Sequence, residues 1–380
     1  MIYVLIRRQT LNRIEMNLNR YVDDYGCYTF QDVSFNEVDN AVMSAISYVN
    51  LDGIVSKSRF HKITIGEAGK IYFEKHSKKE KQVLAVREAV KLFNIIKDTE
   101  RYKNLYLYNY AYESGDAEQF SAITIEISNK LVYVSFEGTD HLVSGWKENF
   151  MLSYQFPVLS QRRAIDYVNK HFLFRGHDII LGGHSKGGNL AMVAGMYANF
   201  LVRDKIIKIY NNDGPGLLIE QISSKYYKNV ENKMIHIIPN YSMVGLLLRH
   251  EDNYVVVRSA RKSIYAHDMF TWVVRGKEFE KCELSSFSKA LDDKLIHWLN
   301  KYDRKTREEF VVSLFDVFDK AGVYSLVDIM EKKTLIIRIV LGINNANPVT
   351  KNILKDFIFA LFQCFKDVKK EELISFFERK

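Results

Sequence analysis

The chain has 380 residues, 47% hydrophobic and 13% aromatic, which is ample for the core of one large α/β domain or of a domain with an appendage. Its three cysteines, Cys27, Cys282 and Cys364, are far apart and odd in number, which argues against a disulfide framework or a zinc site, and no stretch approaches the ~20 apolar residues of a membrane span. The formal net charge of +8 permits an anionic partner, but charge runs such as 75–81 are mixed in sign and no nucleic-acid motif accompanies them, so no nucleic acid is expected.

At the start, residues 1–8 place a short apolar run ahead of a basic pair, the reverse of a secretory leader, so a soluble, cytoplasmic protein is expected. Residues 35–48 read as a capped helix, with Val38, Val42, Ala45 and Ile46 at helical spacing. A second helix is predicted over 83–97. Strands follow at 105–112, 120–127 and 131–136, rich in aromatic and β-branched residues. Ala164, Ile165, Val168 and Phe172 mark a helix before a strand at 179–181. Further strands are predicted at 206–210, 234–238 and 254–257, with a helix over 217–227. This alternation through 130–260 is the pattern of a mainly parallel sheet. Beyond 280 the character turns helical, over 287–300, 307–320, 325–331 and 352–365. A strand pattern there is limited to 334–340.

One stretch organises the chain. The apolar run Ile179-Ile180-Leu181 stops at Gly182-Gly183-His184-Ser185-Lys186-Gly187-Gly188, and a helix-like run follows at once. G-x-S-x-G between strand and helix is the pattern of a nucleophile elbow, a sharp turn that lifts one hydroxyl clear of the sheet. Chance alone gives the pentapeptide about one time in twenty at this glycine content, so the flanking strand and helix carry the argument.

A serine hydroxyl needs a base to take its proton and an acid to orient that base. Of the histidines after Ser185, His236 lies inside a strand, His250 reads as surface beside Arg249 and Glu251, and His297 sits in a late helix. His267 follows the last strand pattern in a loop, where the base belongs. Asp213 ends the strand after the elbow helix and is the candidate acid, although Asn212-Asp213-Gly214-Pro215-Gly216 is also strong turn chemistry. Glu251 and Asp252 are alternatives, and Asp268 adjoins His267 too closely to face its ring. An oxyanion hole needs two N–H donors. The amide of Lys186, next after the candidate nucleophile, is one. Thr139, at the end of the strand 131–136, offers the other.

Phe136-Glu137-Gly138-Thr139-Asp140 with Trp146 and Asn149, followed by Gly183-His184-Ser185-Lys186-Gly187-Gly188-Asn189, resembles the class 3 lipase group of α/β-hydrolases. Lys186, the early Phe35-Asn36-Glu37-Val38-Asp39 and the late His267-Asp268 with Trp272 resemble more closely its bacterial Mbeg1-like branch. The similarity covers roughly residues 20–330. It implies Ser185 as nucleophile, His267 as base, and Thr139 as an oxyanion donor. One departure stands out. Class 3 lipases usually carry their acid after the strand matching 234–238, where this chain has Pro239-Asn240-Tyr241-Ser242-Met243-Val244-Gly245. Either Asp213 serves instead, or Asn240 or Ser242 orients His267 more weakly. The family also has a lid after the oxyanion strand; residues 141–157 fit a lid or a helix fixed in the core equally well.

The resulting expectation is an α/β-hydrolase domain over 1–280 with an N-terminal helical extension, and a helical C-terminal region over 281–380. The expected function is a serine hydrolase cleaving carboxylic esters, lipid esters among them, through an acyl-enzyme, with no metal or organic cofactor. Its partners would be an ester or lipid-like small molecule and, transiently, a membrane surface. The alternatives are a catalytically weak scaffold used in protein interaction, and an acyltransferase using the same residues.

Overall fold

The computed structural model describes residues 16–76, 84–115, 118–139, 143–250, 254–323, 333–345, 348 and 350–356. Among them, eight strands form one sheet in simple sequential order. β1 (Ile63–Thr64), β2 (Tyr106–Gly115), β3 (Glu118–Ser128) and β4 (Leu131–Phe136) run antiparallel to their neighbours. β5 (Asp178–His184), β6 (Ile206–Asn212), β7 (Met234–Pro239) and β8 (Tyr254–Val257) continue parallel to β4. The fold is that of an α/β-hydrolase.

Period-2 alternation sorts side chains to the two faces. Tyr133, Ile180 and Tyr210 point into one core, while Val132, Val134, Ile179, Leu181 and Ile209 point into the other. The second core lies under α6 (Leu159–Phe172) and α7 (Lys186–Tyr197), the crossovers between β4, β5 and β6. The first is covered by the N-terminal helices α1 (Leu18–Tyr25), α2 (Glu37–Ile46), α3 (Ile65–Lys75) and α4 (Leu84–Ile96). The predicted capped helix is α2. Asn36 Oδ1 accepts from the amides of Val38 and Asp39, and the Asp39 carboxylate accepts from the Asn36 amide in return.

Asp39 also anchors the whole N-terminal layer. Its carboxylate accepts Arg101 Nε at 2.8 Å, Arg101 Nη2 at 2.6 Å, Tyr102 Oη at 2.6 Å and Tyr21 Oη at 3.1 Å. Both side chains of the ion pair are fully buried. The same arginine donates to the carbonyls of Thr29 and Val33. A charge taken out of water stays tolerable only with such complete pairing.

Beyond the sheet, α8 (Ser286–Lys301), α9 (Arg304–Ala321) and α10 (Lys333–Asn345) are helical, as are residues 350–356. Trp298, Phe310, Phe315 and Ile353 form a core with Tyr154 and, from α5 (Val143–Met151), Trp146 and Phe150. The C-terminal helices thus rest on the segment that follows the β4 turn.

The structure departs from the sequence reading in several places. Residues 217–227 form not one helix but two turns, Ile219–Ile222 and Lys225–Lys228. Ser224 accepts from the Tyr227 amide and starts the second turn afresh, a hydroxyl competing with helix continuation. The strand pattern at 334–340 lies inside α10, which packs on α9: Leu335 and Ile339 cluster with Phe318 and Ala321. α1 was not foreseen, and nor was a small hairpin pairing Val274–Arg275 with Glu278–Phe279. The helix predicted at 325–331 lies outside the described residues, as does the part of 352–365 beyond 356. No helix among the described residues is long and apolar enough to cross a membrane.

Removing one partner of a fully buried ion pair leaves an uncompensated charge, so Asp39→Ala is expected to lower the unfolding free energy by about 3–5 kcal/mol. Chemical denaturation checks this; a loss below about 1 kcal/mol would show the pair to be dispensable.

Candidate active site

The register of three parallel strands builds the site. Phe136 of β4 lies opposite Gly183 of β5, and His184 opposite Asn212 of β6. The residues next after these strand ends therefore emerge side by side at the carboxyl edge of the sheet, where open α/β sheets present their functional groups.

Ser185 occupies the turn between β5 and α7 with φ 56° and ψ −131°. A non-glycine residue there is strained by about 1–3 kcal/mol. Close packing enforces the turn. A Cβ on Gly187 would lie 2.1 Å from the Phe136 carbonyl oxygen, and one on Gly183 would lie 2.4 Å from the Gly187 carbonyl carbon. The Ser185 amide donates to the Asn212 carbonyl at 2.9 Å, which ties the elbow to β6. Only 6% of Ser185 is exposed.

The other two candidates meet each other. His267 ends a short 3-10 turn, Ser263–His267, and its Nδ1 lies 2.7 Å from Asp213 Oδ2. A carboxylate can only accept, so Nδ1 carries the proton. Asp213 is fully buried at φ 51°, with its amide bonded to the Ile237 carbonyl. Its second oxygen accepts Ser242 Oγ at 2.5 Å and the Gly245 amide at 3.1 Å. Burial pushes the Asp213 carboxyl up; His267, Ser242 and Gly245 pull it back toward ionisation.

The two weaker candidates for the acid have other partners. Ser242 faces Asp213, not His267. Asn240 Oδ1 accepts the Ser259 amide at 3.0 Å, a backbone cap at the end of β8. Asp268 accepts the Phe270 amide at 3.0 Å and caps the next turn. Glu251 and Asp252 lie outside the described residues.

Of the oxyanion candidates, the Lys186 amide is the first of α7, a position with no intrahelical acceptor. The Lys186 side chain turns the opposite way. Its ammonium is 1% exposed and lies 2.8 Å from Glu148 of α5 and 3.3 Å from the Gln119 carbonyl. Thr139 follows β4, and Asn149 Nδ2 donates to its Oγ1 at 3.0 Å. Glu148 also accepts the Ser160 amide, and Phe150 stacks edge-on against Phe315. In this segment Leu152, Ser153 and Tyr154 are buried, and Trp146, Phe150 and Met151 are partly buried against the C-terminal helices; Asp140 and residues 141–142 are outside the described residues. Among the described residues no group of three or more His, Cys, Asp or Glu could hold a metal ion.

Sequence reasoning placed His250 on the surface. Instead a backbone bridge between Leu217 and Arg249 holds it over β7, half-buried, with its ring 4.4 Å from that of His236. It also passed over His184 as more than a motif letter, and Tyr48 altogether. Tyr48 Oη lies 2.9 Å from His184 Nδ1, and His184 Nε2 lies 2.7 Å from the His267 carbonyl oxygen.

Burial lowers the pKa of five imidazoles, His177 among them. It depresses His171 and His250 to about 4, and His184 and His236 well below the usual value. The unfolded chain then binds protons first, so stability falls as pH drops below about 6.5, by up to about 1.4 kcal/mol per unit for each group. Asp213, Asp268 and Glu37, all raised by burial, act in the opposite direction, three groups against five. Urea denaturation at pH 7 and pH 5 is expected to show a loss of several kcal/mol at pH 5. Equal stability at the two pH values would contradict it.

Comparison with known proteins places the chain in a family. No curated protein matches the chain significantly. Among solved structures, the crystal structure of M37 lipase matches with a TM-score of 0.32 and 13% identity, over 54% of this chain and 68% of that one. The Mbeg1-like family model matches residues 96–316, more than half of the chain and a narrower span than the resemblance first read at 20–330. That span holds β2 through β8, the elbow, Asp213 and His267, and the chain belongs to the Mbeg1-like family.

Proposed function

We propose that the protein is a serine hydrolase acting on carboxylic esters. The observation that carries the reading is the 2.7 Å contact of His267 Nδ1 with buried Asp213, beside a Ser185 held at φ 56°. With Nδ1 protonated, the Nε2 of His267 is the basic nitrogen, as a general base requires. In the proposed cycle Ser185 Oγ attacks the ester carbonyl while His267 takes its proton. The amides of Lys186 and Thr139 stabilise the developing oxyanion, and the alcohol leaves with the proton from His267. Water then attacks the acyl-enzyme by the same route, releasing the acid and restoring the serine. No step needs a metal or an organic cofactor.

Asp213 has the surroundings of an orienting acid. It is buried, so its charge acts through low dielectric, and Ser242 and Gly245 hold its second oxygen so that the first stays on the imidazole. The alternative of a catalytically weak scaffold rests on the absence of a carboxylate after β7 and on the long helical C-terminal region. Asp213 at hydrogen-bond distance from His267 speaks against the first of these. Acyl transfer to an acceptor other than water would use the same residues, and lipid esters and a transient membrane contact remain part of the proposal for substrate and partner.

A fluorophosphonate probe tests the reading. Wild type is expected to label and Ser185→Ala not to; folded wild type that stays unlabelled would refute the hydrolase. Asp213→Asn is expected to slow labelling on the order of 10³-fold, because an amide no longer fixes the tautomer or balances the imidazolium. Ser242→Ala, which removes one hydrogen bond to the acid, is expected to slow it about tenfold. Hydrolysis of p-nitrophenyl esters of graded chain length then reads the acyl preference.

A further inference from the structure

The hydrogen-bond chain from Tyr48 through His184 to His267 has only one consistent arrangement of protons. The His267 carbonyl can only accept, so His184 Nε2 must carry a hydrogen. The His184 ring is buried and neutral, so its Nδ1 is a bare acceptor, and the Tyr48 hydroxyl donates to it. The chain thus runs one way, ending on the backbone of the candidate general base. The two imidazole rings also lie close together, with centroids 4.5 Å apart and planes tilted by 34°.

His267 needs such support. It closes a five-residue 3-10 turn, a weak element with few bonds of its own. Two successive carbonyls of that turn are held by buried ring N–H groups, Ala266 by Trp272 Nε1 at 2.9 Å and His267 by His184. Tyr48 also reaches the oxyanion turn. A Cβ on Gly138 would lie 2.1 Å from Tyr48 Oη and 2.6 Å from the His184 carbonyl oxygen. One hydroxyl from the N-terminal layer therefore touches the turn after β4, the elbow and, through His184, the loop of His267.

We propose that Tyr48 and His184 are positioning residues for the reaction, holding the His267 backbone so that its imidazole stays aimed between Ser185 and Asp213. This rests on the hydrolase reading. A displacement of about 1 Å at a reacting group can cost about a hundredfold in rate, and the role proposed for both residues is to position and not to bind. The loss is therefore expected in kcat and not in KM.

The experiment compares fluorophosphonate labelling per folded molecule, and kcat and KM on a p-nitrophenyl ester, for wild type, Tyr48→Phe, His184→Leu and His184→Gln. Expected are a roughly tenfold loss of kcat and labelling rate in Tyr48→Phe and roughly a hundredfold loss in His184→Leu, with KM unchanged. His184→Gln, which keeps an N–H where Nε2 stood, is expected to recover much of the loss. Labelling at the wild-type rate in both Tyr48→Phe and His184→Leu, or an unchanged kcat with a raised KM, overturns the inference while leaving the hydrolase intact. A wild type that does not label removes both. Should the His184 variants fail to fold, ¹⁵N NMR of the wild-type imidazoles decides: His184 must be the neutral Nε2–H tautomer at pH 7, and an Nδ1–H tautomer or a cation overturns the proposal.

Discussion

The site depends first on strand register. Three neighbouring parallel strands end level, with Phe136 against Gly183 and His184 against Asn212. One residue further on, the chain turns sharply at Ser185 and again at Asp213, both at positive φ. A slip of two residues in the pairing of β5 with β6 would separate the elbow from the candidate acid by about 7 Å, beyond reach of one imidazole. The backbone bonds at those turns, Ser185 to Asn212 and Asp213 to Ile237, belong to the sheet as much as to the site. The strain at Ser185 is held by ladder bonds rather than by its own side chain.

Much of this was legible in the sequence because the elbow is local. Small residues, a serine and an apolar flank on each side fit in a dozen positions, and the parallel half of the sheet followed from the alternation of strand and helix patterns. The acid was harder. Asn-Asp-Gly-Pro-Gly reads as a turn whether or not Asp213 does chemistry, and here the turn aims the carboxylate. Asn240 and Ser242 stand where the resemblance expects an acid, yet only the fold gives Asn240 to a backbone amide and Ser242 to Asp213. Tyr48 could not be read at all. Its partner is 136 residues away, and an isolated tyrosine at a helix end has no pattern of its own. The helical reading of the C-terminal region holds at 333–345, although β-branched residues there also give a strand pattern.

Charge is handled in the interior by full pairing. Lys186 sits beside the candidate nucleophile, yet its ammonium is turned away and neutralised by Glu148 across α5. Glu148 in turn caps the start of α6 through the Ser160 amide. The residue that lends its amide to the elbow thus also fastens the segment after β4, and the C-terminal helices close over that segment through Phe315 and Trp298. The buried histidines follow the opposite rule and stay uncharged.

The Asp39–Arg101 pair sets where the protein could be cut. Arg101 lies inside the span shared with the family and Asp39 lies before it, together with Tyr48 and the helices that cover one face of the sheet. A fragment trimmed to residues 96–316 would keep Ser185, Asp213 and His267 but strand a buried guanidinium and bare an apolar sheet face. The smallest excisable unit is therefore larger than the family boundary, and homologues are best aligned with the N-terminal layer included.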